Sequence, residues 1–294
     1  MKEQDWTSDF VEFIRRTATD LPRDVEARIK ECYKKEDKSS IASNILDALL
    51  KNTHLARKDS TPICQDTGYP TFYICLPVGV SQISIENQIR KSLKICTKKC
   101  YLRPNSVNSI SGKNEGMNTG LYFPTIYFKQ WKKDSIDINL ILKGGGCENV
   151  GMQYKLPDER LGAGRDLDGV SKCIINMVMT AQGRGCAPGT LGVGLGGDRA
   201  VSYSVAKKQF LRKFNDKNYV PELARLESVL LEKINKLGIG PMGMGGNTTI
   251  MGLKIGAAHR LPACYFVSIS YMCWAYRRRN MKIDSKGSVH YEKN

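Results

Sequence analysis

Apolar residues recur at helical spacing through the first fifty positions. Val25, Ile29 and Cys32 fall on one face, and Ile41, Ile45, Leu46 and Leu49 on another, after a Ser39-Ser40 start signal. Residues 8–52 therefore read as helical scaffold. A polar, turn-rich stretch from Lys58 to Gly68 leads into the strand-like run Thr71–Leu76. Ser84–Lys98 is amphipathic with Ile85, Ile89, Leu93 and Cys96 inward, which makes Cys96 a core residue. Ile136, Ile138, Leu140 and Leu142 alternate with polar neighbours, so Ser135–Leu142 is a strand, and with Tyr122–Trp131 before it an antiparallel pair is expected. Leu167–Gln182 reads as a helix, Thr190–Gly197 as a strand, and Asp198 as the cap of a further helix. The next helix is bracketed by Pro221 and Gly238, with Leu223, Leu226, Leu230 and Ile234 on its buried side. Strands follow around Thr248–Ile255 and Tyr265–Met272. Beyond Arg279 the polar tail is expected to fray.

This order predicts an α+β fold: a helical N-terminal segment, then mixed, partly antiparallel sheets with packed helices. No repeat or linker interrupts it, so residues 1–294 are expected to form one domain, as one lobe or two intimately packed lobes. A hydrophobic content of 41% suffices for a sizeable core. The 45 Lys and Arg against 29 Asp and Glu give a net charge of +16, which suits nucleic acid, an acidic membrane or a small polyanion. The basic runs, Lys98-Lys99, Lys132-Lys133 and Arg277–Arg279, accompany no nucleic-acid motif, so they read as solvated surface. The start, Met1–Trp6, is polar and acidic without an apolar signal region, and no apolar run approaches the ~18 residues of a membrane span. A reducing cytoplasm is the expected location, where ten cysteines serve as metal ligands, catalysts or core fillers rather than as disulfides. No Cys-x-x-Cys pair suggests a zinc ribbon or knuckle.

Three thiols have special settings. Cys64 lies in Pro62-Ile63-Cys64-Gln65-Asp66-Thr67-Gly68, Cys186 in Gly183-Arg184-Gly185-Cys186-Ala187-Pro188-Gly189, and Cys273 in Tyr271-Met272-Cys273-Trp274-Ala275. Glycines around Cys186 would let backbone and ligand approach the sulfur closely. Cys32, Cys75, Cys96 and Cys173 sit in periodic apolar segments; Cys100 and Cys264 read as core or surface, and Cys147 lies in a glycine run without an assigned role. Arg103-Pro104-Asn105 and Gly112–Gly120 form a long polar loop suited to binding. Lys143-Gly144-Gly145-Gly146-Cys147-Glu148-Asn149 can aim consecutive N–H groups at an anion. Gly192-x-Gly194-x-x-Gly197 fits a dinucleotide fingerprint literally, but the helical start and the lack of an acidic ribose partner on a βαβ unit weigh against a nicotinamide or flavin site.

Taken in order, Cys64-Gln65-Asp66-Thr67-Gly68, Lys143-Gly144-Gly145-Gly146-x-Glu148-Asn149, Gly185-Cys186-x-Pro188, Gly196-Gly197, Gly238-Ile239-Gly240-Pro241-x-Gly243-x-x-Gly246 and Cys273-Trp274-Ala275 resemble the iron–sulfur (class I) fumarate hydratases and L-tartrate dehydratases, in their α subunit or N-terminal domain. The likeness runs from about residue 20 to about residue 280. It implies a hydro-lyase with a [4Fe–4S] cluster held by Cys64, Cys186 and Cys273, one iron being left open to substrate. It also implies Gln65 and Asp66 beside a dicarboxylate, Arg103 on one carboxylate, the Gly146 backbone at the other end, and Asn114 and Asn118 in a substrate loop; Asp66 would handle a proton. Met117 and Gly120 depart from the pattern of that loop. His259 is carried as a second catalytic candidate, although relatives place a histidine nearer the proline, where this chain has Leu261-Pro262. The implied reaction is fumarate to malate, or alternatively tartrate to oxaloacetate. The motifs end near Arg279 without a second domain, so a β subunit is expected as partner, in a complex of two α and two β chains. A basic nucleic-acid-binding protein and a nicotinamide dehydrogenase are the readings from other classes.

Overall fold

The computed structural model describes residues 4–292, so Met1–Glu3 of the polar start and the last two residues of the tail lie outside it. The chain divides into two compact units. Unit one takes the chain up to Arg23, Lys51–Gly144 and the chain from Arg277, and unit two takes Asp24–Leu50 and Gly145–Tyr276. The helical start holds: α1 is Thr7–Thr19, α2 Arg23–Lys35 and α3 Ile41–Asp59. Ser40 begins α3 as expected, its Oγ accepting the Ser43 N–H at 3.0 Å. Ile41, by contrast, is exposed, because it occupies the first turn, ahead of the buried stripe of Leu46 and Leu49.

Unit one is built on a sheet ordered β2-β1-β3-β8-β9, from β1 Tyr69–Pro77, β2 Thr125–Trp131, β3 Ile136–Lys143, β8 Arg277–Ile283 and β9 Val289–Tyr291. Phe72, Ile74 and Leu76 of β1, the alternating apolar positions of β3, and Met281 and Ile283 of β8 form one core with α1 and with α4, Gln82–Lys98. Cys96 lies in that core, and burial pushes its thiol up to about 12. Three expectations are corrected here. β2 and β3 are not paired; β1 lies between them, parallel to β2 and antiparallel to β3. Alternation reports which face a strand buries, not which neighbour it has, and the nearly continuous apolar run of β1 demands the inner position that half-exposed β2 does not. Nor does the described part of the tail fray, because β8 pairs with β3 along its whole length and β9 with β8. Arg277, Arg278 and Arg279 are buried rather than solvated. Asp20, at the end of α1, is the ion-pair partner of Arg279 at 3.2 Å and of Arg57 at 2.6 Å.

Unit two holds a sheet ordered β4-β7-β5-β6, from β4 Met152–Lys155, β5 Gly189–Leu195, β6 Ile250–Ala257 and β7 Phe266–Met272. β5 and β6 are parallel, and β7 is antiparallel to β5. Helix α5 is the single turn Gly145–Glu148; the others are α6 Leu167–Ala181, α7 Arg199–Lys208 and α8 Pro221–Asn235. Asp198 caps α7, accepting the Val201 N–H at 2.7 Å. The glycines of the fingerprint-like run serve this helix. A Cβ at Gly192 would overlap the Ala206 carbonyl and one at Gly194 the Ser202 carbonyl, so both positions are bare to let α7 lie on the sheet. Along α8 the buried row contains an acid, Glu227, whose Oε1 takes the Ile255 N–H at 2.7 Å and pairs with Arg212 at 2.8 Å. No helix among the described residues is long and apolar enough to cross a membrane.

Gly194→Ala should lower stability by about 2–4 kcal/mol in urea unfolding, since a methyl there meets backbone rather than a movable side chain. Gly146→Ala, where nothing lies within 4 Å of an added Cβ, should stay within about 0.5 kcal/mol of the parent.

Candidate functional site

In unit one the turn that carries Cys64 is pinned one residue ahead of the thiol. The Ile63 N–H donates to the Ala18 carbonyl at 3.1 Å, and Asn52 of α3 donates to the Ile63 carbonyl at 2.8 Å. Cys64 is half-buried and Gln65 is exposed. Asp66 follows, its Oδ1 accepting the Gly68 N–H at 3.1 Å. Its Oδ2 lies so close to the bare α-carbon of Gly144 that a Cβ there would stand 2.8 Å away. Gly68 itself has φ +87 and packs on the Leu142 backbone, a combination that a side chain would break.

Thr67 joins this turn to the polar loop. Its hydroxyl, on a fully buried side chain, accepts the Arg103 N–H at 3.1 Å and an Asn105 side-chain N–H at 2.9 Å. Arg103 is thereby anchored through its backbone while its guanidinium side stays exposed. Asn118 completes the anchor from inside: its Nδ2 donates to the Arg103 carbonyl at 2.8 Å and to Thr97 Oγ1 at 2.8 Å. Asn114 spans the same loop, donating to the Pro104 carbonyl at 2.9 Å and accepting the Gly116 N–H at 2.8 Å. Asn114 thus spends both ends of its amide on loop geometry, Asn118 does so through Nδ2 while its buried Oδ1 has no hydrogen-bond partner, and Arg103 is the residue that they steady.

In unit two, Cys186 and Cys273 emerge at one end of the sheet. Cys186 ends the turn before β5, Cys273 follows β7, and Thr190 pairs with Met272 in register. The Trp274 N–H donates to the Cys186 carbonyl at 3.3 Å. Cys186 is exposed and has φ +60, a left-handed conformation that a non-glycine residue keeps only when its surroundings impose it. Those surroundings are visible. A Cβ at Gly189 would overlap the Tyr271 ring, one at Gly185 would stand 3.1 Å from it, and the Met242 N–H holds the Ala187 carbonyl at 3.0 Å. Tyr271 is buried beneath the turn; burial raises its phenol pKa, and the nearby Cys273, Cys147 and Cys186 thiols add to the shift. Sequence reasoning missed Tyr271 and the nearness of Cys147, because neither a strand tyrosine nor a cysteine in a glycine run announces a neighbour distant in the chain.

His259 is elsewhere. It follows β6, which is parallel to β5, and its carbonyl accepts the Gly197 N–H at 3.1 Å, beyond the far end of β5. With about 3.3 Å of rise per residue, the length of β5 separates it from the Cys186 end by roughly 20 Å. His259 is therefore not grouped with Cys186 and Cys273 in this unit. Gly146 lies exposed in α5. Clefts of about 510 Å³ beside Gln88 and beside Lys254, and of about 710 Å³ beside Arg160, contain none of the candidate residues.

The donor chemistry fits an iron–sulfur cluster. Two thiols stand at one end of unit two's sheet, one of them exposed on an imposed backbone, and the third candidate, Cys64, sits on a pinned turn of unit one. Among the described residues no group of three or more His, Cys, Asp or Glu side chains is arranged around a single metal ion.

Comparison with known proteins agrees with the motif order. The model of the family described as fumarate hydratase (Fumerase) matches residues 7–282. A protein of Geobacillus stearothermophilus assigned as a class I fumarate hydratase is 49% identical over 276 residues, covering 93% of this chain and 54% of the relative. The chain thus spans about half the length of that relative. A protein of Methanocaldococcus jannaschii assigned as L(+)-tartrate dehydratase subunit alpha is 35% identical over 283 residues, covering 94% of this chain and 97% of the relative. The L(+)-tartrate dehydratase subunit alpha of Escherichia coli is 30% identical over 277 residues, covering 92% and 88%.

Thr67→Val should cost about 1–3 kcal/mol, because it strands two polar N–H groups while keeping the side chain's volume. Thr67→Ser, which keeps the acceptor, should cost less than about 1 kcal/mol; urea unfolding of the two variants measures the difference.

Proposed function

Because the chain belongs to the fumarate hydratase (Fumerase) family, we propose that it is the cluster-bearing α component of a [4Fe–4S] hydro-lyase acting on a small dicarboxylate. Cys64, Cys186 and Cys273 are its proposed ligands. Held by these three thiolates, such a cluster would supply Lewis acidity toward the substrate's oxygens. The chain's own residues bind and orient. Arg103 takes one carboxylate through the two parallel N–H bonds of its guanidinium, and the Gly146 N–H donates to the other end of the dianion. Gln65 donates its side-chain amide to the substrate, and Asp66 holds or releases the proton at the departing or entering oxygen. Asn114 and Asn118 keep Arg103 in place, and His259 is left out. The observation that carries this reading is the Thr67 hydroxyl, which ties Arg103 to the Cys64-Gln65-Asp66 turn at 3.1 Å and so brings together groups that one dianionic ligand would need.

Fumarate to malate is the favoured reaction, supported by the relative at 49% identity. L-tartrate dehydration is the second reading, favoured by a relative of matching length, 97% covered. No base for the carbon-bound proton is assigned in this chain, and the names of the subunit-alpha relatives point to a β partner. We therefore propose an α₂β₂ complex, working in the cytoplasm, where the open iron is protected from oxidants.

The anaerobic complex, co-expressed with its β partner, should hydrate fumarate at roughly 10 per second and dehydrate L-tartrate more slowly. The isolated chain, reconstituted with iron and sulfide, should turn over neither acid. A brown complex that is inactive on both would overturn the hydro-lyase reading.

Cys64→Ser, Cys186→Ser and Cys273→Ser should each lose most of the roughly four irons per chain, read by iron analysis and visible absorbance, whereas Cys96→Ser should keep them. Arg103→Lys, which keeps the charge but loses the fork, should raise KM by about tenfold or more in the same assay.

A further inference from the structure

Arg277 opens β8, and in the sequence it looks like the start of a solvated basic run. Its side chain is instead 1% exposed. A guanidinium in a protein interior ordinarily has a carboxylate beside it, because a buried charge without a counter-charge is costly. Arg279, two residues on, meets that expectation through Asp20 at 3.2 Å. Arg277 does not. Among the described residues no carboxylate pairs with it, and its Nε has no hydrogen-bond partner. Its polar contact is one bond, from Nη1 to the main-chain carbonyl of Asp66 at 2.8 Å.

That bond acts on the turn already described. The Asp66 carboxylate is fixed on one side by the Gly68 N–H at 3.1 Å and on the other by the bare α-carbon of Gly144. The carbonyl held by Arg277 belongs to the peptide that joins Asp66 to Thr67, so the guanidinium sets the plane of the link between the two. Strand β3 keeps the parts in register, since Leu142 pairs with Arg277 and its backbone packs against Gly68.

We propose that Arg277 is a positioning residue, whose buried, charge-unpaired guanidinium holds the Asp66 main chain so that the Asp66 carboxylate stands ready for proton transfer. The catalytic half of this statement rests on the role proposed above for Asp66. The conformational half stands without it.

The test uses Arg277→Met and Arg277→Lys in the full chain, alone and in the co-expressed complex. By amide hydrogen exchange in the chain alone, the Gly68 N–H should exchange at least tenfold faster in Arg277→Met and about threefold faster in Arg277→Lys, while Phe72 and Leu140 in the core keep parental rates. In the complex, kcat on the active acid should fall about 100-fold in Arg277→Met with KM within threefold. Arg277→Lys should recover at least tenfold of that loss. In an Asp66→Asn background, Arg277→Met should add no further loss, as expected for residues acting as a unit. Unchanged Gly68 exchange, acceleration spread equally to Phe72 and Leu140, or additive losses in the double variant would each overturn the proposal. If Arg277→Met does not fold, Gly68 exchange in Arg277→Lys decides. A parental complex inactive on both acids would remove the functional reading, and Gly68 exchange would still decide what Arg277 holds.

Discussion

Unit two is organised around one constrained residue, Cys186, held at φ +60 with its thiol exposed. An L-residue does not keep that conformation by itself, so the neighbourhood supplies the restraint. The Tyr271 ring fills the space under the turn and leaves no room for a Cβ at Gly189, while Gly185 takes φ +90 and is crowded by Val150 and the edge of the same ring. The 240s loop holds the Ala187 carbonyl through Met242, and the segment after β7 holds the Cys186 carbonyl through Trp274. Several glycine motifs that look independent along the chain are therefore parts of one support. Its effect is to present a thiol at the same sheet end as Cys273.

Unit one solves a different problem, that of charge in an interior. Three consecutive arginines enter its sheet, where water cannot screen them. Asp20 answers for Arg279, and the Asp66 carbonyl answers in part for Arg277. The net charge of +16 is thus not only a surface property; part of it is built into the strand that closes the sheet. A cationic interior beside a turn bearing Gln65 and Asp66, with Arg103 tied on through Thr67, suits a dianionic ligand better than a nucleic-acid backbone, which needs its cations on an exposed face. The bare positions Gly192 and Gly194 likewise remove the support for a nicotinamide site, since they seat a helix on a strand rather than a pyrophosphate on a loop.

Much was legible in the sequence because it is local. Helix periods, the Ser40 and Asp198 caps, the apolar alternation of β3 and the turn chemistry around Cys64 and Cys186 depend on residues a few positions apart. The order of motifs placed the chain in its family for the same reason: each motif is a short backbone requirement written in glycine, proline and cysteine. Burial of Cys96 followed from its helical phase alone.

What the sequence could not determine is everything that depends on which strand lies beside which. It marked β2 and β3 as strands but not the insertion of β1 between them, because alternation carries a face and not a neighbour. It read Arg277–Arg279 and the tail after them as solvated, because charge predicts exposure unless a distant partner is present, and the partners, Asp20 and the Asp66 carbonyl, lie more than two hundred residues away in the chain. It left His259 a candidate that departs from the family pattern, and only the parallel pairing of β5 with β6 shows that this residue lies at the opposite end of the sheet from Cys186. Local preference selected the elements and the reactive groups; long-range pairing, the only source of counter-charges and register, decided which of those groups could act on one another.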